Sequence, residues 1–308
     1  MKRRQFTKAA GLSLLAPTFL RSEEKEGEVI DIHQHVNFSG RSNEDLLAHQ
    51  EKMGVSHTVL LPSASAYARK STHNGKSNGL AARIFGTMAA ARIVQAHPDR
   101  FSFFCNEIPD LEEAPAEISK WLERGAIGIG ESKFHLECDS APMLRMFEVA
   151  QEYQVPVLLH FEHGRYNMGF ERFHKVLEKF PKVNFIGHAQ TWWGNIDADH
   201  VQTEMYPKKA VKEGGLTDRY LSDYPNMYGD LSAGSGRNAL MRDEDHARGF
   251  LERHQDKLLL GTDCSDSVGE GAKCSGSQQI ANVRRLLDDE NAKKKILSGN
   301  ARTLLRLA

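Results

Sequence analysis

The sequence predicts an α/β protein folded as a single-domain (β/α)8 barrel. Three observations predict it. The 308 residues suit a fold that takes about 250. Eight short apolar runs alternate with amphipathic helical stretches, as in successive βαβ units around a parallel sheet. Connections before the runs are short, whereas those after the first, second, sixth, seventh and eighth are longer and rich in polar or aromatic residues, which puts a functional face at the strand C-termini.

Taken in order, the predicted strands are 29–36, 57–62, 101–108, 126–133, 155–161, 184–189, 227–231 and 257–262. Several are nearly unbroken apolar segments, such as Val155-Pro-Val-Leu-Leu159, the pattern of strands covered on both faces. Helices are expected over 43–53, opened by a capping Asn43 and closed at Gly54, and over 112–123, closed at Gly125. Further helices are expected over 143–153, 170–180, 243–254 and 277–288. The longest insertion, 199–223, is broken at Glu213-Gly214-Gly215 and reads as two short helices.

Residues 1–27 stand apart from the barrel of 28–308 as an export signal and linker. Lys2-Arg3-Arg4-Gln5-Phe6-Thr7-Lys8 precedes an apolar run that is too short for the about 20 residues of a bilayer span. This start resembles a twin-arginine signal, which implies an encounter with the twin-arginine export machinery, a periplasmic or other extracytoplasmic location and no stable membrane insertion. A net charge of −1 and a pI near 6.9 give no reason to expect a nucleic-acid partner; a small-molecule substrate is expected, and a homo-oligomer is compatible with the composition. Four cysteines show no CxxC spacing, although Cys264 and Cys274 are close enough in sequence to pair outside the cytoplasm.

The chemistry concentrates at strand ends. Asp31-Ile-His33-Gln-His35 closes the first strand, and period-two alternation puts both imidazoles on one face. The fifth strand ends in Leu159-His160, the sixth in Gly187-His188 and the eighth in Gly261-Thr-Asp263. Five candidate ligands of a divalent metal thus fall at the C-terminal ends of four strands, the edge where barrel enzymes place their chemistry. On the fourth strand, Ile129-Gly-Glu131-Ser-Lys133 puts Glu131 and Lys133 on one face, with Glu131 as a further candidate ligand or as the ion-pair partner of Lys133. His163, Arg165, Trp192 and Arg237 lie at or beyond strand ends and are expected to bind substrate, Arg suiting a carboxylate or phosphate; His135, Trp193 and Tyr228 are further pocket candidates. The Asp230-Leu-Ser-Ala-Gly-Ser-Gly segment lacks the Lys and spacing of a P-loop.

The set of His-x-His after strand 1, His after strands 5 and 6 and Asp after strand 8 resembles the amidohydrolase superfamily. The ending Asn300-Ala-Arg302-Thr-Leu-Leu-Arg306 resembles the amidohydrolase-related group that includes amino-carboxymuconate semialdehyde decarboxylases. The resemblance spans 29–307. It implies that His33, His35 and His160 hold a divalent metal, most simply Zn2+, with Asp263 completing the shell and handling the proton of metal-activated water. It gives His188 either a second metal or a catalytic role toward the substrate. Glu131 would bridge two ions, as a strand-4 carboxylate does in TatD-like nucleases, whereas Lys133 would do so as a carbamate. The implied activity is hydrolysis of a small-molecule amide, lactone or ester, or of a P–O bond. A non-oxidative decarboxylase on the same scaffold and an exported non-catalytic binding protein are the alternatives.

Overall fold

The computed structural model describes residues 27–64 and 84–307, so the signal-like segment at 1–26 lies outside the described residues. The strands are β1 (Ile30–Gln34), β2 (His57–Leu60), β3 (Phe101–Phe103), β4 (Ile129–Ser132), β5 (Val157–His160), β6 (Phe185–His188), β7 (Met227–Asp230) and β8 (Leu258–Leu259). All pair in parallel, in two arcs of order β1-β2-β3 and β4-β5-β6-β7-β8. Backbone hydrogen bonds join the arcs at both seams. Ile32 N donates to Leu260 O at 3.0 Å between the β8 and β1 chains, while Cys105 N donates to Gly128 O and Gly130 N to Cys105 O, each at 2.9 Å, between β3 and β4. The eight strands therefore form the predicted (β/α)8 barrel.

The helices around it are α1 (Asn43–Lys52), α2 (Thr87–Ala96), α3 (Ala114–Leu122), α4 (Ala141–Tyr153), α5 (His174–Lys179), α6 (Ala189–Gly194), α7 (Leu216–Asp223), α8 (Ala233–Met241), α9 (Glu244–Arg253), α10 (Ser275–Leu286), α11 (Glu290–Lys294) and α12 (Asn300–Leu305). The α1 N-terminus is capped one residue earlier than predicted: the Ser42 side chain accepts from Asp45 N. The stretch expected as one helix over 170–180 is a 3-10 turn, Phe170–Arg172, followed by α5. Gly169 in the left-handed region opens that turn, and Arg172 is drawn away to Glu137 and Asp139. The insertion over 199–223 contains one helix, α7, rather than two. Its first half is held by side-chain contacts instead: Lys212 N and Asp199 N both meet Asp197 Oδ1, and Asn195 pairs with Gln202.

Two apolar layers position the site. One lies between the strands and the surrounding helices. The other gathers Ile30, Ile32, Val59, Leu61, Phe104, Leu158, Ile186 and Leu259 inside the barrel, closed at one end by Ala301 and Leu305 of α12. Alternation then assigns the next inward position on three strands: Leu158 is followed by His160, Ile186 by His188 and Tyr228 by Asp230. On β1 and β4 the pairing register shifts, between Asp31 and Gln34 and between Ile129 and Ser132. A shift of one residue turns the following side chains to the other face, which brings His33, His35 and Glu131 to the same end.

Candidate metal centre

Glu131 is the hub of the site. It is buried at 2 % exposure, and its two oxygens face different histidines. Oε2 lies 3.5 Å from both His33 Nε2 and His35 Nε2, and Oε1 lies 2.6 Å from His160 Nδ1 and 3.7 Å from His188 Nε2. Asp263 joins from the loop after β8, with Oδ1 3.2 Å from His35 Nε2 and 3.8 Å from His33 Nε2 and Oδ2 4.0 Å from His188 Nε2. Asp263 is the member of the set that reaches solvent, at 18 % side-chain exposure.

Each ring is anchored through its other nitrogen. His35 Nδ1 donates to the Leu61 carbonyl at 2.6 Å, and His33 Nδ1 donates to Asp230 Oδ2 at 2.7 Å. His188 Nδ1 meets Ser232 Oγ at 2.9 Å, and that hydroxyl donates to Asp230 Oδ2 at 2.7 Å. His160 Nε2 stands 3.2 Å from Glu162 Oε2. Four imidazoles thereby turn one nitrogen outward to an acceptor and the other toward Glu131, the arrangement by which a carboxylate or carbonyl fixes the tautomer of a metal-ligating histidine. His33 Nε2 and His35 Nε2 stand 3.2 Å apart, close to the edge of about 3.3 Å expected between two imidazoles on one tetrahedral ion with arms of about 2.0 Å. The donor set of imidazoles and carboxylates therefore fits a divalent cation.

The electrostatics agree. Burial disfavours the charged form of His33, but Asp263 and Asp230 outweigh it and raise its pKa well above the ordinary value. For Glu131, too, burial is opposed and outweighed, here by His160 and His33, and its carboxyl is held well below the usual range. Asp230 and Asp263 are lowered against the same burial penalty, both chiefly by His33. His188 is lowered by burial and by the neighbouring His33. This concentration of negative charge around imidazoles that supply lone pairs is what a cation neutralises.

The structure redistributes several predicted residues. His160 was grouped with His33 and His35; it lies instead across Glu131 from them, with its ring 5.2 Å from that of His188. Lys133 does not pair with Glu131. Its ammonium lies 5.4 Å from the Tyr166 ring centroid, which removes it as a bridging group. Trp192 is not a substrate-binding residue: it is fully buried beneath the sheet, where a Cβ on Gly187 or Gly229 would meet its ring at 2.4 and 3.3 Å. Trp193 is likewise core, donating to Asp230 O at 3.0 Å. Arg237 lies on the exposed side of α8 beside Tyr206 and Lys208. Tyr228 packs with Leu304 toward the end closed by α12. His163 and Arg165 do stand at the mouth, both exposed; His163 N donates to Thr191 Oγ1, and Arg165 pairs with Glu162 at 2.8 Å. His135 is tied to the Arg165 carbonyl at 2.7 Å.

Sequence reasoning missed Asp230, Ser232 and Glu162. Asp230 had a signal, since Tyr228-Gly-Asp230 closes β7 as Gly261-Thr-Asp263 follows β8, and both put an acid at a strand end. Close packing supports it: a Cβ on Gly261 would meet Asp230 Oδ1 at 2.1 Å and His33 Cβ at 2.9 Å. Asp31 opens the segment that carries the His-x-His motif. It accepts from Thr262 N, Thr262 Oγ1 and His33 N at 2.9, 2.6 and 3.0 Å, tying the β1 end to the segment that carries Asp263.

A barrel whose strand ends carry these histidines and acids defines a metal-centred barrel enzyme class. The amidohydrolase family model described as Amidohydro_2 matches residues 30–307, and the chain belongs to that family, whose members are metal-dependent enzymes. No match to a curated protein was found. Among solved structures the fold is shared with an uncharacterized TIM-barrel protein from Bordetella bronchiseptica, at 16% identity over 91% of this chain and 98% of that one, with a TM-score of 0.60. It is also shared with a probable 2-pyrone-4,6-dicarboxylic acid hydrolase from Acinetobacter baumannii with citric acid bound, at 13% identity, 91% and 99% coverage and a TM-score of 0.56. A third is a dihydroxybenzoic acid decarboxylase from Polaromonas with bound manganese and the inhibitor 2-nitroresorcinol, at 18% identity, 87% coverage of each chain and a TM-score of 0.53.

Proposed function

We propose that the chain is a metal-dependent hydrolase of a small-molecule amide, lactone or ester, with two adjacent cation positions that share Glu131. The observation that carries this is the division of the Glu131 carboxylate, Oε2 facing His33 and His35 and Oε1 facing His160 and His188. His33, His35 and Asp263 would hold one cation through Nε2, Nε2 and a carboxylate oxygen. His160 Nδ1 and His188 Nε2 would hold the other. Cations held there would supply Lewis acidity toward a carbonyl and toward water near neutral pH, Zn2+ being the simplest choice for this donor set.

The chain supplies the rest. Asp263, charged and reaching solvent, accepts the proton of the attacking water and passes it to the leaving group. Asp230 and Ser232 hold the His33 and His188 rings against rotation. Arg165 at the mouth offers a cation to an acidic substrate, although its pairing with Glu162 makes this a gate contact rather than a clamp. Export through the twin-arginine route belongs to the same proposal and is tested by fractionating cells that express the full chain.

A non-oxidative decarboxylase is the second reading, supported by the decarboxylases that share this fold. It asks for one cation to orient a carboxylate, and gives the divided Glu131 no work. Turnover in 18O-labelled water separates the two. The hydrolase incorporates one label per product acid, whereas release of CO2 with unlabelled organic product contradicts the proposal.

A further inference from the structure

Behind the β1 and β8 ends, outside the site above, a second cluster of ligating side chains is buried. His49 on α1, Cys264 directly after Asp263 and Cys274 at the N-cap of α10 are 0 to 1 % exposed, and Met53, just past α1, is 8 % exposed. One ligand atom from each of His49, Cys264 and Cys274 lies within 4.8 Å of the others. The separations are 3.8 Å for Cys264 Sγ to Cys274 Sγ, 3.5 Å for Cys274 Sγ to His49 Nε2 and 3.7 Å for Cys274 Sγ to Met53 Sδ.

These three separations, all from Cys274 Sγ, match the three edges that meet at one corner of a coordination tetrahedron. Metal–sulfur arms of about 2.3 Å and metal–nitrogen arms of about 2.0 Å subtend about 3.8 Å between two sulfurs and about 3.5 Å between sulfur and nitrogen. Two thiols, an imidazole and a thioether are a soft donor set, unlike the imidazoles and carboxylates around Glu131. We infer that His49, Cys264 and Cys274 form a separate thiolate site for a thiophilic d10 ion, Zn2+ or Cu+, with Met53 at the fourth position.

The surroundings suit a ligating His49. Its Nδ1 is 3.3 Å from the Gln50 amide and 3.4 Å from Arg41 Nη1, whose shorter bonds are to carbonyls; Gln50 with its oxygen toward Nδ1 would accept that N–H and leave Nε2 free for the ion. The turned amide nitrogen would then donate to Thr58 Oγ1, which contacts the same side chain at 3.0 Å. Arg41 supplies positive charge beside two thiolates, its Nη1 donating to the Cys264 and Asp266 carbonyls at 2.9 and 2.7 Å. The ion would pin α1, α10 and the loop that carries Asp263 to one another. Its role is to hold that loop.

Cobalt is the probe, because a sulfur-to-Co2+ charge-transfer band in the near ultraviolet reports thiolate ligation, and no sulfur faces Glu131 among the described residues. Reduced, metal-stripped full chain titrated with Co2+ should develop the band. Cys264→Ser and Cys274→Ser should each lose it, while Cys105→Ser should keep it. Failure of the folded wild-type chain to show the band overturns the inference, as does a band that survives both substitutions. A Cys264–Cys274 disulfide that forms equally fast with and without added Zn2+ or Cu+ also overturns it. Competition by Cu+-selective and Zn2+-selective chelators assigns the ion. None of these readouts depends on turnover, so they stand whether or not the hydrolase proposal does.

Discussion

Asp230 Oδ2 lies 2.7 Å from His33 Nδ1, with both side chains wholly buried. The contact fixes which His33 nitrogen faces Glu131, and through Ser232 the same carboxylate fixes His188. Loss of such an outer partner typically costs about 10–100-fold in metal affinity. Asp230→Ala should therefore weaken metal binding by about that factor with the barrel intact, read by chelator competition beside circular dichroism. Unchanged affinity would show that the ring does not depend on this carboxylate.

Gly261 should tolerate no side chain. A methyl there would meet Asp230 Oδ1 at 2.1 Å and His33 Cβ at 2.9 Å, so Gly261→Ala must displace one of the two. Metal content and activity should fall together, and more steeply than thermal stability. A variant with full metal content would contradict the packing described here.

Trp192 tests the boundary between core and pocket. Fully buried, it should cost about 3–5 kcal/mol of stability on replacement by Ala. Trp192→Phe should keep KM near the wild-type value while lowering the denaturation midpoint. A large KM effect without a stability loss would return it to the substrate site.

The metal-stripped protein should have a distinctive stability profile. Glu131, Asp230 and Asp263 have folded pKa values below their unfolded ones, so their stabilisation is complete above the usual carboxylate range of about 4 and is lost as pH falls through the lowered values. His33 is raised, so its contribution is complete below about 6.5 and is lost as pH rises through its folded value. Thermal midpoints of the stripped protein should fall on both sides of a mildly acidic maximum. Metal displaces the His33 proton, so uptake should release protons in that range and remove the loss on the alkaline side. Proton release that is absent by calorimetry in two buffers would contradict the protonated His33.

How much of this was legible in the sequence depends on range. Strand order and the inward His160 and His188 follow from apolar runs and alternation, which are local. The His-x-His pair, Glu131 and Asp263 were also legible from their strand-end positions, but the register shifts in β1 and β4 that turn side chains inward were not, because they arise from strand pairing. Trp192 read as a pocket residue since it follows a strand-end histidine; the short α6 turns it under the sheet instead. Asp230 was missed because its partners are 197 and 42 residues away in the chain, a distance at which spacing says nothing.

The central claim is that Glu131 lies between two cation positions. Metal counting on the wild-type chain and on Glu131→Gln, joined to anomalous scattering from crystals grown with Mn2+ or Zn2+, tests it most directly. The account predicts two ions about 3.5–4 Å apart in the wild type, one held by His33, His35 and Asp263 and the other by His160 and His188, with the second lost in Glu131→Gln. A single ion held by His33, His35 and His160, unchanged in Glu131→Gln, would contradict it.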